Sequence, residues 1–206
     1  MTRKQPREKR LDDIIRAALD EMLEKGYEGA SMESIARRAG LSKGGLYHHF
    51  TGKDEILLTA NERLDRPLRR LREKAGRGDR AGDALRDYMV RYLSYWQSHH
   101  REMVFYTLSM TKILDSQPLW RMYEQYARSY LDLFQSIFQR GIDRGEFIPH
   151  DPFQSALVTI SALDGIIYYL MMDRNLELND VLQALEKRLL DPLKREKRNP
   201  SKENEP

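Results

Sequence analysis

Residues Ser42 to Phe50 read SKGGLYHHF. A glycine inside a helix costs about 1 kcal/mol relative to alanine, so two in succession must make room for something. If Leu46 and Phe50, four residues apart, face the core, then at about 100° per residue His48 points directly away from it. Gly44 lies beside His48, with Gly45 and Tyr47 on the flanks. The outward face is bare at its start and carries hydrogen-bonding rings at its end. Such a surface can lie close against another molecule. The DNA major groove admits a helix, and the first residues of a reading helix meet base edges there. Lys43 and Tyr47 can reach phosphates, contacts that position a protein without reading sequence, and a helix N-terminus favours an anion.

The flanking sequence gives this stretch its frame. Leu11, Ile14, Ile15, Ala18, Leu19, Met22 and Leu23 recur at three- and four-residue steps, one apolar helix face that Gly26 is placed to end. Ser31 caps a second helix with Met32, Ile35, Ala36 and Ala39 inward, and Gly40 is its left-handed stop. Only Leu41 separates Gly40 from Ser42, the next N-cap. Two short helices about a glycine turn are the helix-turn-helix layout. After a break at Thr51-Gly52 a long helix starts at Lys53, with Ile56, Leu57, Ala60, Leu64 and Leu68 as its apolar stripe. Pro67 lacks an N–H and is expected to kink that helix or end its first part.

Residues Arg10 to Leu58 resemble the N-terminal domain of the TetR family of bacterial transcriptional regulators. The stretch GYEGASMESIARRAGLSKGGLYHHFTGKDEIL has the Gly-aromatic pair after helix one, the Ser cap before Ile-Ala, the Ala-Gly turn, the Leu-Tyr-x-His-Phe end and the Lys-Asp that opens helix four. The resemblance implies that Ser42, Lys43, Gly44, Tyr47, His48 and His49 belong to the recognition helix and its phosphate contacts. It implies that Ser31 and Lys53 hold backbone phosphates at the starts of helices two and four. Gly45 departs from relatives with Thr, Ser, Ala or Asn there, leaving one fewer side chain to read a base, so specificity leans on Lys43, His48 or DNA shape. The basic arm Arg3 to Arg10 is either a minor-groove anchor or an ordinary solvated start.

The rest of the chain reads as further helices. One carries Leu85, Tyr88, Met89, Tyr92, Leu93 and Trp96, with His99 and His100 near its end, a poor metal site because adjacent helical residues point apart. Met103 to Leu114 follows. Pro118 opens a long helix that Gly145 ends, Asp151-Pro152 starts another through Met172, and Asn179 or Asp180 caps the last. The class is all-α, about nine helices. The resemblance implies a C-terminal domain that forms a homodimer and holds a small-molecule effector. The domains expected are 1–55, the helix-turn-helix with its basic arm; 56–195, effector binding and dimerisation; and 196–206, a disordered tail. The last two long helices are apolar on more than one side, with Gly165 and Ala162 permitting close approach, as in a four-helix interface.

Candidate effector contacts are Met89, Tyr92 and Trp96, then Phe105, Tyr106 and Met110, then Trp120, Tyr123, Tyr126 and Tyr168. Taken singly most of them read as core; together they suit a sizeable, mostly apolar or aromatic molecule. Asp164, a carboxylate in an apolar helix, either pairs with an interface cation, caps a backbone group or meets a cationic effector.

The expectation is a dimeric DNA-binding regulator, a repressor released from a palindromic operator when an effector shifts helix four through its Lys53 end. Two alternatives stand beside it: a constitutive DNA-binding protein, and an all-α carrier or enzyme. Against an enzyme, no Walker loop, dinucleotide glycine fingerprint, His-Glu-x-x-His or Gly-x-Ser-x-Gly occurs. No cofactor or metal is expected. The chain lacks cysteine, which excludes disulfides and thiolate sites. Its polar, basic start is not a secretory signal, and the apolar run Ala156 to Met172 contains Asp164 and is short for a membrane span. The protein reads as cytoplasmic.

Overall fold

The computed structural model describes residues 7–195, and of Met122 the backbone. Arg3 and Lys4 of the basic arm, and the expected tail 196–206, lie outside the described residues. Among the described residues nine α-helices follow in order: α1 Arg7–Gly29, α2 Met32–Arg38, α3 Lys43–Tyr47, α4 Lys53–Gly76, α5 Ala81–Ser98, α6 His100–Leu114, α7 Gln117–Asp143, α8 Pro152–Met172 and α9 Leu178–Leu185. A π-helical turn, Glu186–Leu190, and a 3₁₀ turn, Asp191–Leu193, prolong α9. There is no strand among the described residues, only an isolated bridge between Phe147 and Lys194.

Several helix ends depart from expectation. Gly26 takes φ 71°, the left-handed value that glycine tolerates, yet helical turns resume beyond it to Gly29. Pro67 neither ends α4 nor interrupts it. It lies on the exposed face, where solvent can take the carbonyl its missing N–H leaves behind. His99 stands at the N-cap of α6, and His100 is the first residue of that helix. Glu177, not Asn179 or Asp180, stands at the N-cap of α9, without a side-chain cap. Asp180 falls instead in the first turn, where a carboxylate suits the helix dipole.

The chain forms two compact units. The first holds the described residues up to 69 together with 99–124. Its core takes Ile14, Ile15, Ala18 and Met22 from α1, Ile35 and Ala36 from α2, Leu46 from α3, and Phe50, Ile56, Leu57 and Ala60 around the start of α4. Phe105 and Ile113 of α6 and Leu119 of α7 complete it. Burial of each large side chain contributes about 1.5–3 kcal/mol.

Over this core lies an ion network. Arg38 of α2 reaches Glu24 with both guanidinium nitrogens, at 2.7 and 2.5 Å, and Glu21 with Nε at 2.8 Å. Lys25 bonds Glu21 at 2.6 Å, and Arg101 of α6 bonds Asp20 at 2.6 Å. The Lys25 ammonium, the Ser34 hydroxyl and the Arg38 guanidinium hold the Glu21 carboxyl below its usual range although burial opposes them. Glu24 is lowered by Arg38. An unfolded glutamate titrates near pH 4.3, so these pairs stabilise the fold fully above that value and are lost as pH falls through the lower folded one. Acid titration followed by circular dichroism should show helix loss beginning below about pH 4.3, and Arg38→Met should flatten that limb. An identical limb in the variant would place the acid sensitivity elsewhere.

The second unit holds 70–98 and the described residues from 125 onward. Tyr88, Phe134, Phe138, Phe147, Leu85, Met89, Leu163 and Ile167 are buried in it. Tyr88 meets Phe134 edge-on at 4.9 Å, and Phe138 tilts against Phe147 at 5.9 Å. Gly141 of α7 is where the Phe147 ring comes closest: a Cβ there would sit 2.3 Å from Phe147 Cδ2.

Candidate nucleic-acid interface

Local hydrogen bonds build the helix-turn-helix as its caps predict. Ser31 Oγ accepts from Ser34 N at 3.0 Å, and Ser34 Oγ accepts from Ser31 N at 3.1 Å, a reciprocal capping box. At the far end of α2, Gly40 has φ 66°. Leu41 N donates to Ala36 O at 2.8 Å and Gly40 N to Arg37 O at 3.2 Å, a Schellman stop. Ser42 Oγ then accepts from Gly45 N at 3.0 Å and starts α3.

Leu46 and Phe50 are buried and fix α3 to the core. Lys43, Gly44, Tyr47 and His48 are exposed, while Gly45 and His49 are half-buried. The two glycines prove different. A Cβ on Gly44 would meet nothing, so that position is open to an approaching molecule. A Cβ on Gly45 would press on Ser42 Oγ at 3.2 Å and touch Leu41. Its bareness therefore also relieves the cap of its own helix, a role the outward-face reading missed.

Lys53 is less free than the resemblance suggests. Its ammonium donates to Tyr27 O at 2.8 Å and lies 4.5 Å from the centre of the Tyr27 ring. Lys112 of α6 approaches the same ring at 5.0 Å, and the Tyr27 hydroxyl bonds Asp54. Tyr27 thus latches the start of α4 and the end of α6 to α1. Sequence reasoning passed over Glu55, which accepts from Thr51 N at 2.7 Å and Thr51 Oγ1 at 2.8 Å. A threonine four residues before a glutamate at a helix start was the available signal.

The candidate effector residues divide between the units. In the first, Phe105 is fully buried in the core, and the Tyr106 and Tyr123 hydroxyls lie 3.3 Å apart. Met110 is half-buried, and Trp120, partly exposed, tilts against Tyr123 at 6.1 Å. In the second, Met89, Tyr92 and Trp96 are buried on α5, Tyr126 is half-buried and Tyr168 exposed. Asp164 Oδ1 accepts from the Tyr92 hydroxyl at 2.7 Å. Its described partner is thus a phenol. The residue reaches the surface, but its carboxyl is turned into protein, and burial pushes its pKa up.

On the outer side of α8, Val158, Tyr169 and Met172 are exposed, Tyr169 by 63%. Beside them a groove of about 340 Å³ is lined by Ala162, Ile166, Tyr169, Leu176, Val181 and Leu189, among others. Gly165 is open there, with nothing within 4 Å of a Cβ.

The family model for bacterial regulatory proteins of the tetR family matches residues 14–60, the whole of this helix-turn-helix. The HTH-type transcriptional regulator YfiR of Bacillus subtilis, itself uncharacterized, is 30% identical over 181 residues, spanning 80% of this chain and 81% of the relative. The chain belongs to the TetR family. Among solved TetR-family structures, PfmR of Thermus thermophilus is 28% identical, with a TM-score of 0.71 over 88% of this chain and 99% of that one. Bacillus subtilis FadR, solved with stearoyl-CoA, shares the fold: 23% identity, a TM-score of 0.71, and coverage of 84% and 96%. As a TetR-family protein the chain is a DNA-binding regulator of transcription, and α2 and α3 are its helix-turn-helix.

Proposed function

We propose that this TetR-family protein is a dimeric repressor, released from a palindromic operator by a small, mostly apolar or aromatic effector, and that it acts without catalysis. The build of α3 carries the reading. The helix is pinned by Leu46 and Phe50 and bare at Gly44, with Tyr47 and His48 turned outward. Lys43, Ser42, Ser31 and Tyr47 would position the phosphates, and His48 would face base edges. The exposed apolar side of α8 supports pairing with a second copy through α8 and α9. Two copies would set their α3 helices about 34–36 Å apart, the spacing of half-sites one turn apart. The stearoyl-CoA bound by Bacillus subtilis FadR carries a long apolar acyl chain of the kind expected here, joined to a charged coenzyme A.

Selection of bound duplexes from a random pool at physiological salt should recover a palindrome. Tyr47→Ala should then weaken binding to every duplex by about tenfold, the loss of one phosphate hydrogen bond. His48→Ala should instead change the preferred sequence, because a base contact is worth about 1–3 kcal/mol of discrimination. If neither variant alters affinity or preference, α3 does not read the operator.

A further inference from the structure

The reading face of α3 carries a side chain with two hydrogen-bonding forms at ordinary pH. Histidine changes its charge between about pH 5 and pH 8. His48 is exposed at the C-cap of α3, two residues beyond the fully buried Leu46. At about 100° per residue its ring leaves the helix on the side opposite the core. Among the described residues that ring has no hydrogen bond, ion pair or ring contact. Gly44, four residues before it on the same face, is bare and open. Both ring nitrogens are therefore available to whatever lies in front of α3. Its neighbours on α3 are the exposed Tyr47 and the half-buried His49. Most charges of the surrounding elements are already engaged. Arg38 of α2 is held by Glu21 and Glu24, and at the start of α4 Lys53 and Asp54 bond Tyr27 and Glu55 bonds Thr51. The helix α1 lies behind the core that takes Leu46. What remains is Glu33 and Arg37 of α2 and Lys43 of α3, all exposed. The acid favours a charged imidazole and the bases oppose it. DNA adds phosphates, which favour the charged form.

We propose that His48 meets DNA as an imidazolium, that it selects a guanine in each half-site, and that this selection fades as pH rises. The proposal rests on the reading of His48 as facing base edges. The two forms of the ring differ in what they offer. Neutral imidazole has one donor and one acceptor, whereas imidazolium has two donors and no acceptor. In the major groove guanine shows two acceptors, N7 and O6. Adenine sets an amino donor beside its N7, cytosine shows an amino donor, and the one acceptor of thymine stands beside a methyl group. A pure donor therefore suits guanine and is repelled by the amino groups. The neutral ring, with its acceptor, can take those amino groups as well. The two N–H bonds of the imidazolium diverge, so one meets the guanine and the other is left for a flanking phosphate.

Selection of duplexes by the full chain at about pH 6 and about pH 8, at one salt concentration, tests this. At one position of each half-site guanine should be preferred at the lower pH. Its advantage over the other bases should shrink about tenfold at the higher pH, the scale of one base contact. Titration of duplexes differing only in that base pair measures the ratio. His48→Lys, a fixed cation, should keep guanine at both pH values. His48→Gln, whose amide pairs with adenine, should turn the position away from guanine at both. His49→Gln should leave the pH shift in place. Circular dichroism checks that each variant is folded. Equal preferences at both pH values in the natural chain, or a shift that persists in His48→Gln, overturn the proposal. In the first case a new preferred sequence in His48→Gln leaves the base contact standing without its charge. A His48→Gln chain that selects the natural sequence removes the base contact too. A pool that yields no consensus at either pH overturns both.

Discussion

Tyr169→Asp is expected to yield a folded monomer whose affinity for a full palindromic operator is at least about a hundredfold lower. Tyr169 is 63% exposed on α8, beside the open Gly165 and on the wall of the α8–α9 groove. In the proposed dimer its ring would be covered by the second copy. A carboxylate there would have to leave water with no partner provided, a cost of several kcal/mol, and the natural apolar burial would be lost as well. The monomer itself should keep its stability, because Tyr169 is not part of the buried core. A lone protomer reads one half-site and forfeits the effective concentration that links two, a factor of about 10²–10⁴. Sedimentation and operator titration measure both halves of this expectation. A variant that still sediments as a dimer and binds as before would move the interface away from this face.

Gly141→Ala should lower stability by about 2–4 kcal/mol, or about 4–16 °C in Tm for a chain of this size. Helix propensity alone predicts the opposite sign, since alanine is favoured over glycine by about 1 kcal/mol in a helix. Packing decides. The added Cβ would lie 2.3 and 2.5 Å from two atoms of the Phe147 ring and 2.9 Å from Ala81 Cβ. Phe147 has nowhere to retreat: it is 1% exposed, set against Phe138 and His150. The Gly141 carbonyl also accepts from Glu146 N at 2.9 Å and Phe147 N at 3.1 Å, so backbone and ring would have to shift together. Thermal unfolding followed by circular dichroism reads the change, and a Tm within about 2 °C of the natural chain would mean the turn after α7 is softer than its packing suggests.

What the sequence made legible was local. Ser31, Gly40 and Ser42 act on residues three or four positions away, so their caps and stop could be placed from spacing alone. Leu46 and Phe50 were readable as anchors for the same reason. The pairs that escaped join distant parts of the chain. Nothing near Tyr27 in sequence announces Lys112, and nothing near Arg72 announces Tyr126 and Tyr130. Nothing near Gly141 in its own helix shows that Phe147 folds back over it. Asp164 was visible as an oddity, but its partner Tyr92 lies on another helix, seventy-two residues away, and only the fold brings the two together. Pro67 marks the opposite case, a strong local signal overruled because the exposed side of a long, packed helix tolerates it.

The first unit also sets an order of manufacture. Its core is closed by Phe105, Ile113 and Leu119, residues that a ribosome makes long after the helix-turn-helix itself. A nascent chain that ends near residue 69 has its caps and its glycine turn, but the floor under α1 is still unmade. The core of the DNA-reading head is therefore incomplete in a leading fragment. It must wait until α6 and the start of α7 have emerged, by which time part of the second unit is already out as well. A head released by early termination would be left without α6, so truncated products would be poor competitors for the operator that the complete protein occupies.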